Sequence, residues 1–159
     1  MKDFRVGIGQ DSHRFIDEDK PLVLGGISVE GPGLQANSDG DVVLHALCNA
    51  LTSSVGRGSI SNYADKMCLE QGIKDSKEYV KVAYGYVKDA GYRVNNLSIS
   101  IEAKKPRLEK KIPEMKKVIA DILNIGEDDV GITATSGEGL TDFGKGLGVK
   151  AFVVVSLKN

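Results

Sequence analysis

Near the start of the chain Phe4, Val6 and Ile8 alternate with Arg5, Gly7 and Gly9, the two-residue period of a half-buried strand running toward Gln10-Asp11. Leu22 to Val29, interrupted by Gly25-Gly26, reads as a hairpin or a bulged pair, and Glu30-Gly31-Pro32-Gly33 is loop by composition. The period then changes. Val42, Val43, Leu44, Ala46, Leu47, Ala50 and Leu51 recur at helical spacing, Ser38 and Asp41 stand three apart as in a capping box, and a helix is predicted from about Asp39 to Val55. Gly56 to Lys74 has weak periodicity and a Gly, Ser, Asn and Asp character, so a long loop is expected there.

Helical spacing returns with Val80, Ala83, Tyr84 and Val87 over Ser76 to Ala90, and again with Met115, Val118, Ile119 and Ile122 over Ile112 to Leu123. Between and after these lie three alternating stretches: Leu97, Ile99 and Ile101 ending near Glu102-Ala103; Val130 to Thr135; and Val149, Ala151, Val153, Val155 and Leu157. The order predicts one α+β domain over 1–159, a mixed β-sheet with three helices packed on one face. Aromatic residues are only 6% and Trp is absent, so the core is built from Val, Ile, Leu and Ala. A lone copy would bury little, and a homo-oligomer sharing a sheet face is expected.

Charge narrows the function classes. Lys and Arg number 21 against 22 Asp and Glu, a net charge of −1 with no block of one sign, which leaves no footprint for nucleic acid or a membrane surface. Apolar runs such as Ala151 to Val155 fall far short of the roughly 20 residues that cross a bilayer. Met1 to Arg5 carries no signal-peptide core, so a soluble intracellular protein without a targeting segment is expected. Cys48 and Cys68 lack metal-binding spacing and read as idle, buried thiols.

Only two histidines are present, so their positions matter. Asp11 and His13 are two apart at a strand end and share a sheet face. His45 follows Asp41 by one helical turn, a spacing that lets Asp41 orient the imidazole. One carboxylate and two imidazoles with an open corner describe a catalytic zinc site; a hydrogen-bonded, half-buried helical histidine accounts for the same residue without metal. The Gly-rich stretch Ser136 to Gly148 offers backbone N–H groups to phosphate and Glu138 to a divalent cation, or is simply a flexible hairpin. Lys104, Lys105 and Arg107 around Pro106 form a basic turn, able to hold phosphate or merely solvated.

The segments Gly9-Gln10-Asp11-Ser12-His13, Leu24-Gly25-Gly26, Ser38-Asp39-Gly40-Asp41-Val42-Val43-Leu44-His45, Ala103-Lys104-Lys105-Pro106-Arg107, Ile112-Pro113-Glu114-Met115 and Ala134-Thr135-Ser136-Gly137-Glu138 occur in order across essentially the whole chain. In that order and spacing the chain resembles the 2-C-methyl-D-erythritol 2,4-cyclodiphosphate synthase family. The resemblance implies a homotrimer with sheets facing the three-fold axis and active sites at subunit interfaces. It implies Zn²⁺ on Asp11, His13 and His45, and Mg²⁺ or Mn²⁺ bridging a diphosphate with help from Glu138. The implied reaction converts 4-diphosphocytidyl-2-C-methyl-D-erythritol 2-phosphate, a small cytidine diphosphate substrate, to the 2,4-cyclodiphosphate and CMP in the non-mevalonate route. That activity belongs in a cytoplasm, or in an organelle stroma for a mature chain.

Position by position, the resemblance implies that Ser38 touches phosphate, Tyr63 and Asp65 hold the erythritol part, and the turn Ala103 to Glu109, with Lys104, Lys105, Pro106, Arg107 and Leu108, receives cytosine. Thr135, Gly137 and Lys145 join the substrate-binding set, and Ser136 takes the place of a common Thr that stabilises the transition state. Asn37 stands where a phosphate-donating His is usual, and it keeps a neutral donor. Ser59 and Ser61 replace a usual Asp-x-Gly at the ribose hydroxyls; Ala64 replaces a Pro, Asn49 an Asp, and Lys145 an Arg. Two other classes fit the same ligands: a non-catalytic zinc-bearing trimeric homologue that binds a phosphorylated ligand, and a zinc phosphohydrolase with a linear product.

Overall fold

The computed structural model describes residues 4–159; the leader expectation at Met1–Asp3 lies outside the described residues. Four strands form a mixed sheet in the order β1 (Phe4–Arg14), β6 (Gly148–Lys158), β4 (Arg93–Glu102), β5 (Val130–Thr135). The first three are antiparallel neighbours, and β4 and β5 run parallel. The parallel pair requires a crossover, which α4 (Ile112–Leu123) supplies. The hairpin is a separate pair, β2 (Pro21–Leu24) and β3 (Ile27–Pro32), with Gly25 and Gly26 both at positive φ (62° and 80°), the geometry a two-residue hairpin turn demands. The stretch Glu30-Gly31-Pro32, expected as loop, continues β3.

Helix α1 (Val42–Ser54) lies across β1 and β6, and α3 (Ser76–Asp89) packs on α1. The expected long loop contains a fourth helix, α2 (Ser61–Leu69), correcting the count of three. Its signal was faint because only Ala64 and Cys68 are buried, a stripe too narrow to set up a helical period in a polar segment. Asn49 on α1 anchors α2: its Oδ1 accepts from Ile60 N–H at 2.9 Å while its Nδ2 donates to the Gln10 carbonyl at 3.3 Å. An Asp there could make only the first bond.

The first strand is buried on the side opposite to its apolar residues. Gly7 and Gly9 face α1, where a Cβ would lie 2.0 Å from the Ala50 carbonyl oxygen and 2.1 Å from that of Ala46. Small residues are needed for the helix to sit this close. Phe4, Val6 and Ile8 point to the opposite face with Phe152 and Val154 of β6, all between 40% and 66% exposed. That face turns polar toward Ser98 and Ser100 of β4, paired with Val154 and Phe152. The sheet therefore has one covered face, floored by Ile99, Ile101, Val153 and Val155, and one bare apolar strip. Gly9→Ala is expected to lower stability by about 3 kcal/mol, since helix and strand must separate to admit the methyl group. A fall in the urea midpoint checks this.

Among the described residues no helix is long and apolar enough to cross a membrane. Cys48 and Cys68 are buried and free, as expected, and burial pushes the Cys48 thiol up to about 12.

Candidate functional site

Strand β1 carries Asp11 and His13 on one face near its end, and the first turn of α1 brings His45 to them. Asp11 Oδ2 lies 2.8 Å from His13 Nε2 and 3.1 Å from His45 Nδ1, and the two ring nitrogens are 3.3 Å apart. Ligands about 2.0–2.1 Å from a tetrahedral Zn²⁺ are separated by about 3.3–3.4 Å along each tetrahedron edge. The two ring nitrogens already stand at that spacing and Asp11 lies a few tenths of an ångström nearer to each, and among the described residues the three form the one His/Cys/Asp/Glu group that could hold a metal.

Electrostatics agree with the geometry. Burial raises the Asp11 carboxyl, but hydrogen bonds from His13 and His45, reinforced by their charge, bring it down to about 2. It is a carboxylate at any ordinary pH. His13 is lowered by burial yet raised on balance, because Asp11 stabilises its protonated form. The His13 ring also bonds the backbone of Gln35, which leaves Nε2 for the triad.

The imidazole of His45 is held from behind. Its Nε2 lies 2.8 Å from Ser76 Oγ and 3.4 Å from Ser38 Oγ. Ser76 in turn is bonded to Asp39, Oγ to Oδ1 at 2.5 Å and N–H to Oδ2 at 2.9 Å. Neither Ser76 nor Asp39 stands out in the sequence as a site residue. Asp39 falls in the Ser-Asp-Gly-Asp run and Ser76 follows Asp75 at a helix start, but nothing local ties positions 39 and 76 together.

Asp41 does not orient His45. It is the N-cap of α1, with non-helical φ and ψ, so the one-turn face argument does not apply to it. Its buried carboxylate accepts from Val43 N–H (3.1 Å), Leu44 N–H (3.0 Å), Gly25 N–H (2.9 Å) and Gly26 N–H (2.6 Å), tying the hairpin turn to the helix start. Ser38, the expected cap, accepts instead from Gly40 N–H at 3.2 Å.

A cavity of about 300 Å³ opens over the triad, and Asn37, Ser38, Ser61 and Asp65 line it. Tyr63 and Ser59 do not. The Tyr63 hydroxyl donates to the Tyr79 carbonyl at 3.1 Å and its ring packs edge-on against Tyr86, so it braces α2 on α3; the Ser59 hydroxyl pairs with that of Ser61 at 3.0 Å.

The remaining expected residues gather elsewhere. Ala103, Lys104, Pro106, Arg107, Leu108, Thr135 and Ser136 line a cavity of about 370 Å³ at the ends of β4 and β5. Beside it Lys104, Ser136, Glu138 and Lys145 surround a second one, while Lys105 and Lys145 face a third of about 800 Å³. Gly137 N–H donates to Thr135 Oγ1 at 3.2 Å. Glu138 sits at φ 51°, a left-handed conformation unusual for a residue with a side chain, and Ser136 Oγ both accepts from its N–H and donates to its Oε1 at 3.3 Å. The triad cavity contains none of these turn residues, and the turn cavities contain none of the triad.

The YgbB family model matches residues 4–158. The 2-C-methyl-D-erythritol 2,4-cyclodiphosphate synthase of Chlamydia trachomatis serovar L2 is 51% identical over 157 residues, 97% of this chain and 88% of that one. Among solved structures, the bifunctional IspDF from Campylobacter jejuni matches with a TM-score of 0.90 at 32% identity over 98% of this chain, which spans only 42% of that longer one. A 2C-methyl-D-erythritol-2,4-cyclodiphosphate synthase in its CDP-bound form matches at 0.84 and 28% identity, over 97% of this chain and all of the other.

Proposed function

Because the chain belongs to the YgbB family, we infer that it closes 4-diphosphocytidyl-2-C-methyl-D-erythritol 2-phosphate into 2-C-methyl-D-erythritol 2,4-cyclodiphosphate in isoprenoid biosynthesis. An oxygen of the 2-phosphate bonds to the β-phosphorus, the bond from that phosphorus to the α-phosphate oxygen breaks, and CMP leaves with the electron pair. No strong base is required. Catalysis is a matter of bringing two anionic phosphates together and stabilising the charge that builds between them.

The observation that carries this reading is the convergence of Asp11, His13 and His45, with donor atoms 2.8–3.3 Å apart, beside Asn37 and Ser38. These three would hold Zn²⁺, which when bound supplies Lewis-acid polarisation of a phosphate oxygen. Asn37 and Ser38 donate to phosphate, with Asn37 a neutral donor at every pH. Asp65 and Ser61 receive hydroxyls of the substrate. The Ala103 to Leu108 turn, which lines a cavity of its own, receives cytosine; a relative in CDP-bound form supports a cytidine diphosphate ligand. Glu138 would hold Mg²⁺ or Mn²⁺ at the diphosphate, and the Ser136 hydroxyl donates to the transition state.

One copy keeps the triad and the nucleotide turn in separate cavities, and one sheet face is bare and apolar. Both features support a homotrimer of single-domain chains, 1–159, with the bare strips facing a three-fold axis and each site composed from two copies. Mixing a His13→Ala protein with a Glu138→Ala protein, then exchanging subunits, is expected to restore activity to about a quarter of wild type, because one boundary in four joins two intact halves. Activity no higher than that of the separate variants speaks against shared sites.

The function itself is tested by ³¹P NMR of the protein with Zn²⁺, Mg²⁺ and the diphosphocytidyl substrate. Two coupled cyclic diphosphate signals with one equivalent of CMP are expected. Two uncoupled phosphate monoester signals beside CMP would identify a hydrolase, and no reaction with zinc bound would identify a non-catalytic homologue.

A further inference from the structure

We propose that Asp39 and Ser76 are positioning residues that lock His45 in the one tautomer able to bind metal through Nδ1. The inference rests on the reading of Asp11, His13 and His45 as a metal site.

Ser76 Oγ stands between Asp39 Oδ1 at 2.5 Å and His45 Nε2 at 2.8 Å, and a hydroxyl has a single hydrogen to donate. The carboxylate has none, so the Ser76 hydrogen points to Asp39. Ser76 Oγ must then accept from His45, and the proton resides on Nε2. Nδ1, 3.1 Å from Asp11 Oδ2 and 3.3 Å from His13 Nε2, is the nitrogen that faces the site: in the doubly protonated ring it donates to Asp11, and once that ring gives up one proton, with the Nε2 proton held by Ser76, its lone pair stands there.

The wiring is rigid at both ends. Asp39 also accepts from Asp41 N–H at 3.0 Å and Ser76 N–H at 2.9 Å, and its own N–H donates to the Lys74 carbonyl at 2.9 Å. Ser76 is fully buried at the first turn of α3. The chain from Asp39 through Ser76 to His45 therefore couples the start of α3 to the loop before α1 and fixes both ring orientation and proton position. Without it His45 would divide between two tautomers, one of which turns an N–H toward the site. Partners of this kind set the affinity of a metal ligand, with losses of about 10–100-fold when they are removed.

The chain contains two histidines, so its imidazole nitrogens can be followed without ambiguity in ¹⁵N-correlated NMR spectra of the metal-free protein at a pH above imidazole ionisation. Wild type is expected to give His45 as a single Nε2–H tautomer. Ser76→Ala, which removes one buried oxygen without adding volume, is expected to give averaged tautomer shifts and to weaken Zn²⁺ about 10–100-fold in competition with a chelator. Asp39→Asn is expected to weaken Zn²⁺ with retained backbone spectra, because an amide at that place offers Ser76 a donor as well as an acceptor. A His45 proton on Nδ1 in wild type would overturn the proposal. So would a Ser76→Ala protein with unchanged tautomer shifts and Zn²⁺ affinity within threefold of wild type. Absence of Zn²⁺ binding by wild type would instead overturn the metal site, with the tautomer result standing by itself.

Discussion

His13→Ala lowers CMP release by about 10³-fold or more while leaving the fold and the oligomer size unchanged. Removing a centre that stabilises developing charge costs about that much. The side chain is 23% exposed and faces the cavity rather than the core, so its loss opens no internal void. What is lost is one of three donors together with the partner that does most to keep Asp11 anionic. The expected protein binds zinc weakly, melts close to wild type and sediments as wild type does. A coupled assay for CMP, metal analysis and a melting curve on one preparation separate these effects. Turnover within tenfold of wild type in protein carrying no metal would refute a catalytic role for the triad.

Asp41→Ala is expected to have the largest effect on stability. Four backbone N–H groups, those of Gly25, Gly26, Val43 and Leu44, converge on one fully buried carboxylate. Alanine leaves all four without an acceptor, at about 1–3 kcal/mol for each buried donor. A loss of about 4 kcal/mol or more is expected, seen as a fall in Tm of about 10 °C or more for a domain of this size. Asp41→Asn retains an oxygen for the three amides at Oδ1 and sets an NH₂ only against Gly26, so its cost is smaller, about 1–3 kcal/mol.

The same pair of variants carries a pH signature. Burial pushes the Asp41 carboxyl from 3.8 up to about 6, against the pull of the Leu44 and Gly26 amides. The folded protein therefore holds this proton more tightly than the unfolded chain. That contribution to stability is full below pH 3.8 and is lost as pH rises through about 6. Asn cannot titrate, so Asp41→Asn should remove this component of the slope of stability between pH 4 and 6. A slope unchanged by the substitution would show that Asp41 titrates as it does in the unfolded chain.

The elements with strong periodicity are legible because their burial is regular. α3, α4 and the strands β4 and β6 each bury one clear face, α1 is buried on nearly every side and shows as a long apolar run, and the sequence pattern matches them all within a few residues. β1 was legible as a strand but not in its facing. Its apolar residues look outward and its glycines inward, because close approach of α1 at Gly7 and Gly9 matters more there than side-chain hydrophobicity. α2 was illegible because few of its side chains are buried.

The site divides along the same line. The Asp-x-His pair and His45 were identifiable from the sequence as one carboxylate and two imidazoles, the whole histidine complement of the chain, and the segments around them carried the family resemblance. Their chemistry follows from residue type, which does not depend on the fold. Which carboxylate serves which partner does depend on it. Asp41 was drawn away to cap α1 and hold the hairpin turn, and His45 took Ser76 from a helix 31 positions later. Spacing along the chain determines which groups share a strand face or a helical turn. Only packing of α3 against α1 decided that Ser76 and Asp39 stand behind the imidazole, because a hydrogen bond across that separation forms only after distant elements have been brought together.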